Sequence, residues 1–148
     1  MQIIYGPAGG GTEYDLETNT LTIDGIKRDN SRATTGSLAH ESGHIDGPEI
    51  DAESVESYLD SEGAAQMNRI RVRNEILAKG GEDIGIGGSK ENQPAYLYIY
   101  NEYIAGQITY LEAINKIGNI YGDKEHPSFA PHLTYRQFYE KQCREQSS

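Results

Sequence analysis

Apolar positions fall first into short alternating runs and then into helical spacing. Residues 1–6, MQIIYG, form a brief apolar run closed by PAGGG, which predicts a strand and a flexible turn. In TEYDLETNTLTID, Tyr14 and Leu16 alternate with polar residues, and so do Leu21 and Ile23. With Thr18 and Asn19 as a two-residue turn, Leu16 faces Leu21 and Tyr14 faces Ile23, giving a hairpin with one apolar face. The polar stretch GIKRDNSRATTG predicts a loop. A first helix is expected to open near Thr34, Thr35 or Ser37, all good N-caps, to carry LAHESGH and to stop at Gly47-Pro48. Asp51 is placed to cap a second, longer helix running to about Lys79, where Gly80-Gly81 ends it.

Downstream, EDIGIGGSKENQP predicts an irregular, glycine-rich connection, and a third helical region begins after Pro94. That region carries Tyr96, Tyr98, Tyr100 and Tyr103, a cluster that serves either as a binding surface or, as the helical spacing favours, as aromatic core and boundary packing. Thr109 with Glu112 makes a capping box ahead of Leu111, Ile114, Ile117 and Ile120; Thr134 with Gln137 makes a second ahead of a C-terminal helix. No internal repeat or low-complexity tract interrupts this order. Strands followed by helices predict an α+β class. The expected architecture is a single domain over residues 1–148, a small N-terminal sheet with a hairpin followed by four or five helices.

Composition narrows the function classes. At 148 residues the chain suits one domain, and its mean hydropathy of -0.68 fits a folded protein with a polar surface. Its net charge of -10, from 23 acidic against 13 basic residues, repels phosphate backbones and argues against a nucleic-acid partner. Cys143 is the only cysteine, so no intrachain disulfide forms. No run approaches the roughly 18 apolar residues of a membrane span. MQIIYGPAGGGTEYD lacks a basic n-region and a long apolar h-region, so it does not read as a Sec-type signal peptide. Export would need another route or a larger parent chain.

The candidate chemistry lies in HESGH, residues 40–44. On a helix, His40 and His44 lie one turn apart on one face and present their imidazoles to a single ion. Glu41 projects about 100° around from His40, beside such an ion without binding it. Two ligands and a base from one helical turn is the spacing of a zinc metallopeptidase. A catalytic zinc needs a third protein ligand and one open position. On the second helix, Val55, Leu59, Ala65, Val72 and Ile76 form an apolar stripe, and Glu62 falls on it. A carboxylate facing the core is costly unless it is paired or bound to a cation, so Glu62 is the expected third ligand. Its other reading is an ion pair with Arg69, Arg71 or Arg73. Asp51 competes for the ligand role but suits an N-cap better, and Glu75 is expected to face water.

HESGH followed by Glu62-Gly63-Ala64-Ala65-Gln66 resembles the gluzincin branch of the zincin metallopeptidases, whose third ligand is a glutamate on a later helix. On that resemblance His40, His44 and Glu62 match the metal ligands and Glu41 the general base. The metzincin pattern is echoed through Gly47 but fails at Ile50, where a third histidine belongs. More diffusely, residues 35–121 are similar to compact zincin domains found as toxin modules at the C-termini of secreted bacterial proteins, including type VI effectors and Rhs-like toxins. The resemblance implies peptide-bond hydrolysis by a zinc-activated water, a protein or peptide substrate, and an immunity protein as partner. It also implies a donor to the developing oxyanion, for which His126, His132, Tyr135 and Tyr139 stand as candidates. The hairpin at residues 13–24 either aligns an extended substrate at its edge or only completes the sheet. An inactive zinc-binding module and a hydrolase of cell-wall amides remain as alternatives.

Overall fold

The computed structural model describes residues 1–15 and 17–147. Three short strands open the chain: β1 (Gln2–Tyr5), β2 (Glu13–Asp15) and β3 (Thr20–Ile23). They form one sheet in the order β1-β3-β2, with β1 parallel and β2 antiparallel to β3. Leu21 and Ile23 point into the core, whereas Ile3 and Ile4 stay exposed on the edge strand β1. The hairpin forms, but in another register: Tyr14 pairs with Leu21, not with Ile23. The expected partner of Leu21, Leu16, lies outside the described residues. The shift has a local cause. The Asp15 carboxylate accepts hydrogen bonds from the backbone N–H of Glu17 at 2.8 Å and of Thr18 at 3.3 Å, which ends β2 early. Asn19 takes the left-handed conformation at φ 52°, and Asp15 pairs with Thr20 in place of the expected two-residue turn at Thr18 and Asn19.

Only the first half of the expected polar loop is irregular, with a 3₁₀ turn at Gly25–Lys27 capped by Asp24; from Ser31 onward it is helix. The Asp24 carboxylate also accepts from the N–H of Gly9 and Gly11, tying the glycine-rich turn to the end of β3. Helix α1 (Ser31–Asp46) starts a turn before the expected caps, because the Asn30 side chain accepts from the N–H of Ala33 at 3.0 Å. It stops at Gly47 as the sequence requires. Helix α2 (Val55–Ala78) is capped by Ser54, not Asp51. The Asp51 carboxylate accepts from the N–H of Glu53 within the connecting turn. At the other end Gly80, at φ 79°, closes a pair of bonds from Gly80 N to Leu77 O and from Gly81 N to Ile76 O.

Three further helices complete an α+β fold: α3 (Gln93–Ile104), α4 (Tyr110–Lys124) and α5 (Tyr135–Gln146). Both expected capping boxes form, at Thr109 with Glu112 and at Thr134 with Gln137. Helix α2 is the central element. Every residue from Ser61 to Met67 is buried, with α1 and α4 the helices packed most extensively along it. Glycines make these contacts close: a side chain at Gly43 would meet the backbone of Ala65, and one at Gly63 would meet the backbone of Ile114. The core joins Ala64, Met67 and Ile70 of α2 to Ile114, Ile117 and Tyr121 of α4 and to Tyr96 and Tyr100 of α3. Tyr96 and Tyr100 thus pack as core residues, and Tyr98 faces solvent. Of the expected stripe on α2, Leu59 and Ala65 are buried, and Val55, Val72 and Ile76 are half-buried. No helix among the described residues is long and apolar enough to cross a membrane.

Candidate metal centre

Helix α1 carries His40 and His44 to its crossing with α2, and Gly43 between them lets the two backbones meet. Glu62, 4% exposed, rises from α2 at that crossing. The Nε2 atoms of His40 and His44 are 3.2 Å apart. Glu62 Oε2 lies 3.4 Å from the first and 3.6 Å from the second. The structure therefore brings all three expected ligands together. Glu75 faces solvent and pairs with Arg71 at 2.7 Å. The ion-pair reading of Glu62 fails: Arg71 goes to Glu75, Arg73 to Asp83, and Arg69 donates to the backbone oxygen of Gly85. Asp51 sits exposed in the turn before α2 and is no part of the cluster.

Three features of the cluster suit a cation. Two atoms bound at about 2.0–2.1 Å on neighbouring corners of a tetrahedron are themselves about 3.3–3.4 Å apart. The observed separations of 3.2, 3.4 and 3.6 Å bracket that value. Next, Glu62 Oε2 is the one buried side-chain polar atom among the described residues without a hydrogen-bond partner. An orphaned carboxylate oxygen in a buried site costs free energy unless a positive charge meets it. Finally, the protonation states are those of ligands. Burial pushes His44 down to about 4, against the pull of Glu62, which keeps its imidazole neutral. Burial alone raises Glu62, but His44, His40 and the Tyr139 hydroxyl together outweigh it and hold the carboxyl down at about 2. Two imidazoles and a carboxylate form a donor set that suits zinc.

Neighbours from other elements fix the ligands. His44 Nδ1 lies 2.7 Å from Ser61 Oγ, which directs Nε2 toward the cluster. The Tyr139 hydroxyl, from α5, donates to Glu62 Oε1 at 2.6 Å, and its ring stacks on Tyr58 with centroids 4.7 Å apart. Tyr121 lies beside His40, its ring centroid 6.4 Å from that of the imidazole. Ser61, Tyr58 and Tyr121 stand at the site and were not among the residues expected there. Tyr121 continues the α4 stripe of Ile114 and Ile117 at helical spacing, so its inward orientation was open to the same periodicity. Ser61 and Tyr58 carry no signal until the helices are packed.

Glu41 leaves α1 toward a cleft of about 640 Å³ that it lines with His44, Ile45, Tyr14, Pro48 and Ile50. Burial, with Glu62 adding to it, raises the Glu41 carboxyl to about 6, against the pull of His40 and Lys27. The expected oxyanion donors separate. His126 is exposed, with Nδ1 2.8 Å from the backbone oxygen of Leu133, and His132 is exposed as well. Neither contacts the cluster. Tyr139 is engaged with Glu62, so its hydroxyl is committed to that carboxylate. Tyr135 remains: its ring packs 4.8 Å from Tyr121 and 6.1 Å from Tyr139, and burial followed by the charge of Glu62 raises its phenol, which stays protonated. No family model, curated protein or solved structure matches the chain.

Proposed function

We propose that the chain is a zinc-dependent metallopeptidase in which His40, His44 and Glu62 hold the metal and Glu41 carries the proton. The observation that supports this most is the convergence of two imidazole nitrogens and one orphaned carboxylate oxygen at tetrahedral edge separations beside a cleft. Zinc bound there supplies Lewis acidity, polarising a carbonyl and lowering the pKa of water. Glu41, raised by burial to the range where a carboxylate exchanges protons near neutrality, takes a proton from the attacking water. It returns that proton to the amine as the carbon–nitrogen bond breaks and the new carbon–oxygen bond leaves a carboxylate. Ser61 and Tyr139 hold His44 and Glu62 in place. Tyr135 is the residue we assign as donor to the developing oxyanion. Among the described residues no strand pairs with the outer edge of β2, and Tyr14 of β2 lines the cleft, which suits main-chain pairing with an extended substrate.

The test couples metal content to turnover. Wild type is expected to carry one zinc per chain, and Glu62→Ala and His40→Ala to lose it. Glu41→Gln should keep the zinc and lose cleavage of casein by about 10²–10⁴-fold. A wild type that holds zinc and cleaves neither casein nor peptidoglycan is a zinc-binding module without turnover; cleavage of peptidoglycan alone moves the substrate to cell-wall amides. The effector or toxin setting rests on the resemblance of residues 35–121. It requires that expression in a bacterial host arrest growth with wild type and spare it with Glu41→Gln.

A further inference from the structure

The cleft beside the metal cluster has a chemistry of its own. Tyr14, Ile45, Pro48 and Ile50 give it apolar walls, and two acids, Glu41 and Glu49, also line it. Ile45 and Ile50 are 41% and 42% exposed, so these walls lie open. The stretch of sequence that supplies all of the cleft's lining but Tyr14 is one-sided in charge. Between positions 33 and 68 there are eight acidic residues and neither lysine nor arginine. Of these acids only Glu56 is paired with an arginine among the described residues, Arg136 at 2.8 Å. Lys27, whose charge acts on Glu41, is held by Ser37 Oγ at 2.7 Å and Thr12 Oγ1 at 3.3 Å. Glu49 is exposed, and among the described residues no lysine or arginine forms an ion pair with it.

We propose that this cleft is a specificity pocket for a lysine or arginine side chain, and that the substrate is a basic polypeptide segment. The proposal rests on the metallopeptidase reading above and adds the substrate class. A long cationic side chain satisfies both halves of the site at once. Its methylenes cover the open faces of Ile45, Pro48, Ile50 and the Tyr14 ring, and its charged head pairs with Glu49. A purely apolar side chain would cover the same walls but strip water from Glu49 without giving it a partner. An acidic side chain would meet like charge across the whole surface. Because the cleft opens directly on His44 and Glu41, a side chain seated in it places its own peptide bond next to the metal cluster. The net charge of -10 also steers basic segments toward the protein before contact, an effect that salt weakens.

The test uses the zinc-loaded full chain and quenched-fluorescent peptides that differ only in carrying lysine, leucine or glutamate at one position near the scissile bond. Wild type should cleave the lysine peptide about tenfold better than the glutamate peptide in kcat/KM, a preference of the size one close charge pair gives near a surface. The preference should shrink toward 1 M salt, where charges are screened beyond about 3 Å. Glu49→Gln should weaken it and Glu49→Lys should reverse it. The second readout is binding of the same peptides to zinc-loaded Glu41→Gln, followed by fluorescence anisotropy. Tighter binding of the lysine peptide, reversed when Glu49→Lys is added, supports the pocket even where no cleavage is seen, and the hydrolase reading then falls alone. Cleavage that ignores the charge of the peptide, or a preference that survives Glu49→Lys, overturns the pocket and leaves the hydrolase standing. Equal binding of the lysine and glutamate peptides overturns it too.

Discussion

Glu62 splits its two oxygens between different duties. Oε1 is held by the Tyr139 hydroxyl at 2.6 Å, and Oε2 faces the two imidazoles. Removing the hydroxyl alone tests how much the ligand depends on its support. Tyr139→Phe keeps the ring that stacks on Tyr58 and deletes one charge-assisted hydrogen bond. Zinc affinity, measured by competition with a chelator, should fall about 10–100-fold; an unchanged affinity would remove Tyr139 from the metal site. At this scale the sequence was legible where one helix carries the signal. His40 and His44 share a face by spacing, and Glu62 betrays itself as an acid on an apolar stripe. Ser61 was not legible, because its partner His44 belongs to another helix and only the crossing angle brings them together.

Between elements, glycine sets the distances. Gly63 of α2 faces the backbone of Ile114 on α4, and Gly118 of α4 faces the backbone of Leu59 on α2, so the two helices touch main chain to main chain in both directions. A methyl group at Gly63 has backbone, not a flexible side chain, in its way. Gly63→Ala should therefore destabilise the fold by about 1–3 kcal/mol, read from urea unfolding, despite the better helix propensity of alanine. A neutral or stabilising result would mean that α4 can shift without loss. The same contrast between local and distant interactions explains which elements the sequence revealed. Both capping boxes formed where expected, because each closes within four residues of its own helix. The hairpin register shifted because Asp15 bends the chain with a side-chain acceptor that competes with the ladder. The start of α1 moved for a related reason: Asn30 caps as well as the threonines and serine downstream, and nothing in the residues between forbids helix.

Across the whole molecule the negative charge is mostly left to solvent, and the connections between helices are held by a few specific anchors. Glu125 is one. Its buried carboxylate accepts from Ser89 N, Asn92 Nδ2 and Tyr96 OH, while its backbone oxygen accepts from Tyr135 N, so one residue joins the glycine-rich connection to the start of α5. Asp83 is another, paired with Arg73 through two bonds of 2.7 and 2.8 Å. The Arg73 hydrogen bond, followed by the N–H of Gly85, lowers Asp83 from 3.8 to about 2. A folded-state value below the unfolded one gives stability that is complete above the ordinary carboxylate range and is lost as pH falls through about 2. Because Asp83 is about half exposed, the contribution is about 0.2–1 kcal/mol. Urea midpoints at pH 6 and pH 2 should therefore fall further apart for wild type than for Asp83→Asn by that amount; identical differences would show the pair to be inert.

The support of Glu62 by Tyr139 spans 77 residues of chain. During synthesis, at about 5–20 residues per second, roughly 4–15 s separate the appearance of the carboxylate from that of the phenol that steadies it. A nascent polypeptide would hold both histidines and the glutamate and still lack the brace between them. The braced arrangement of the cluster thus waits for α5 to dock, and does not arise when the two histidines and the glutamate emerge from the ribosome.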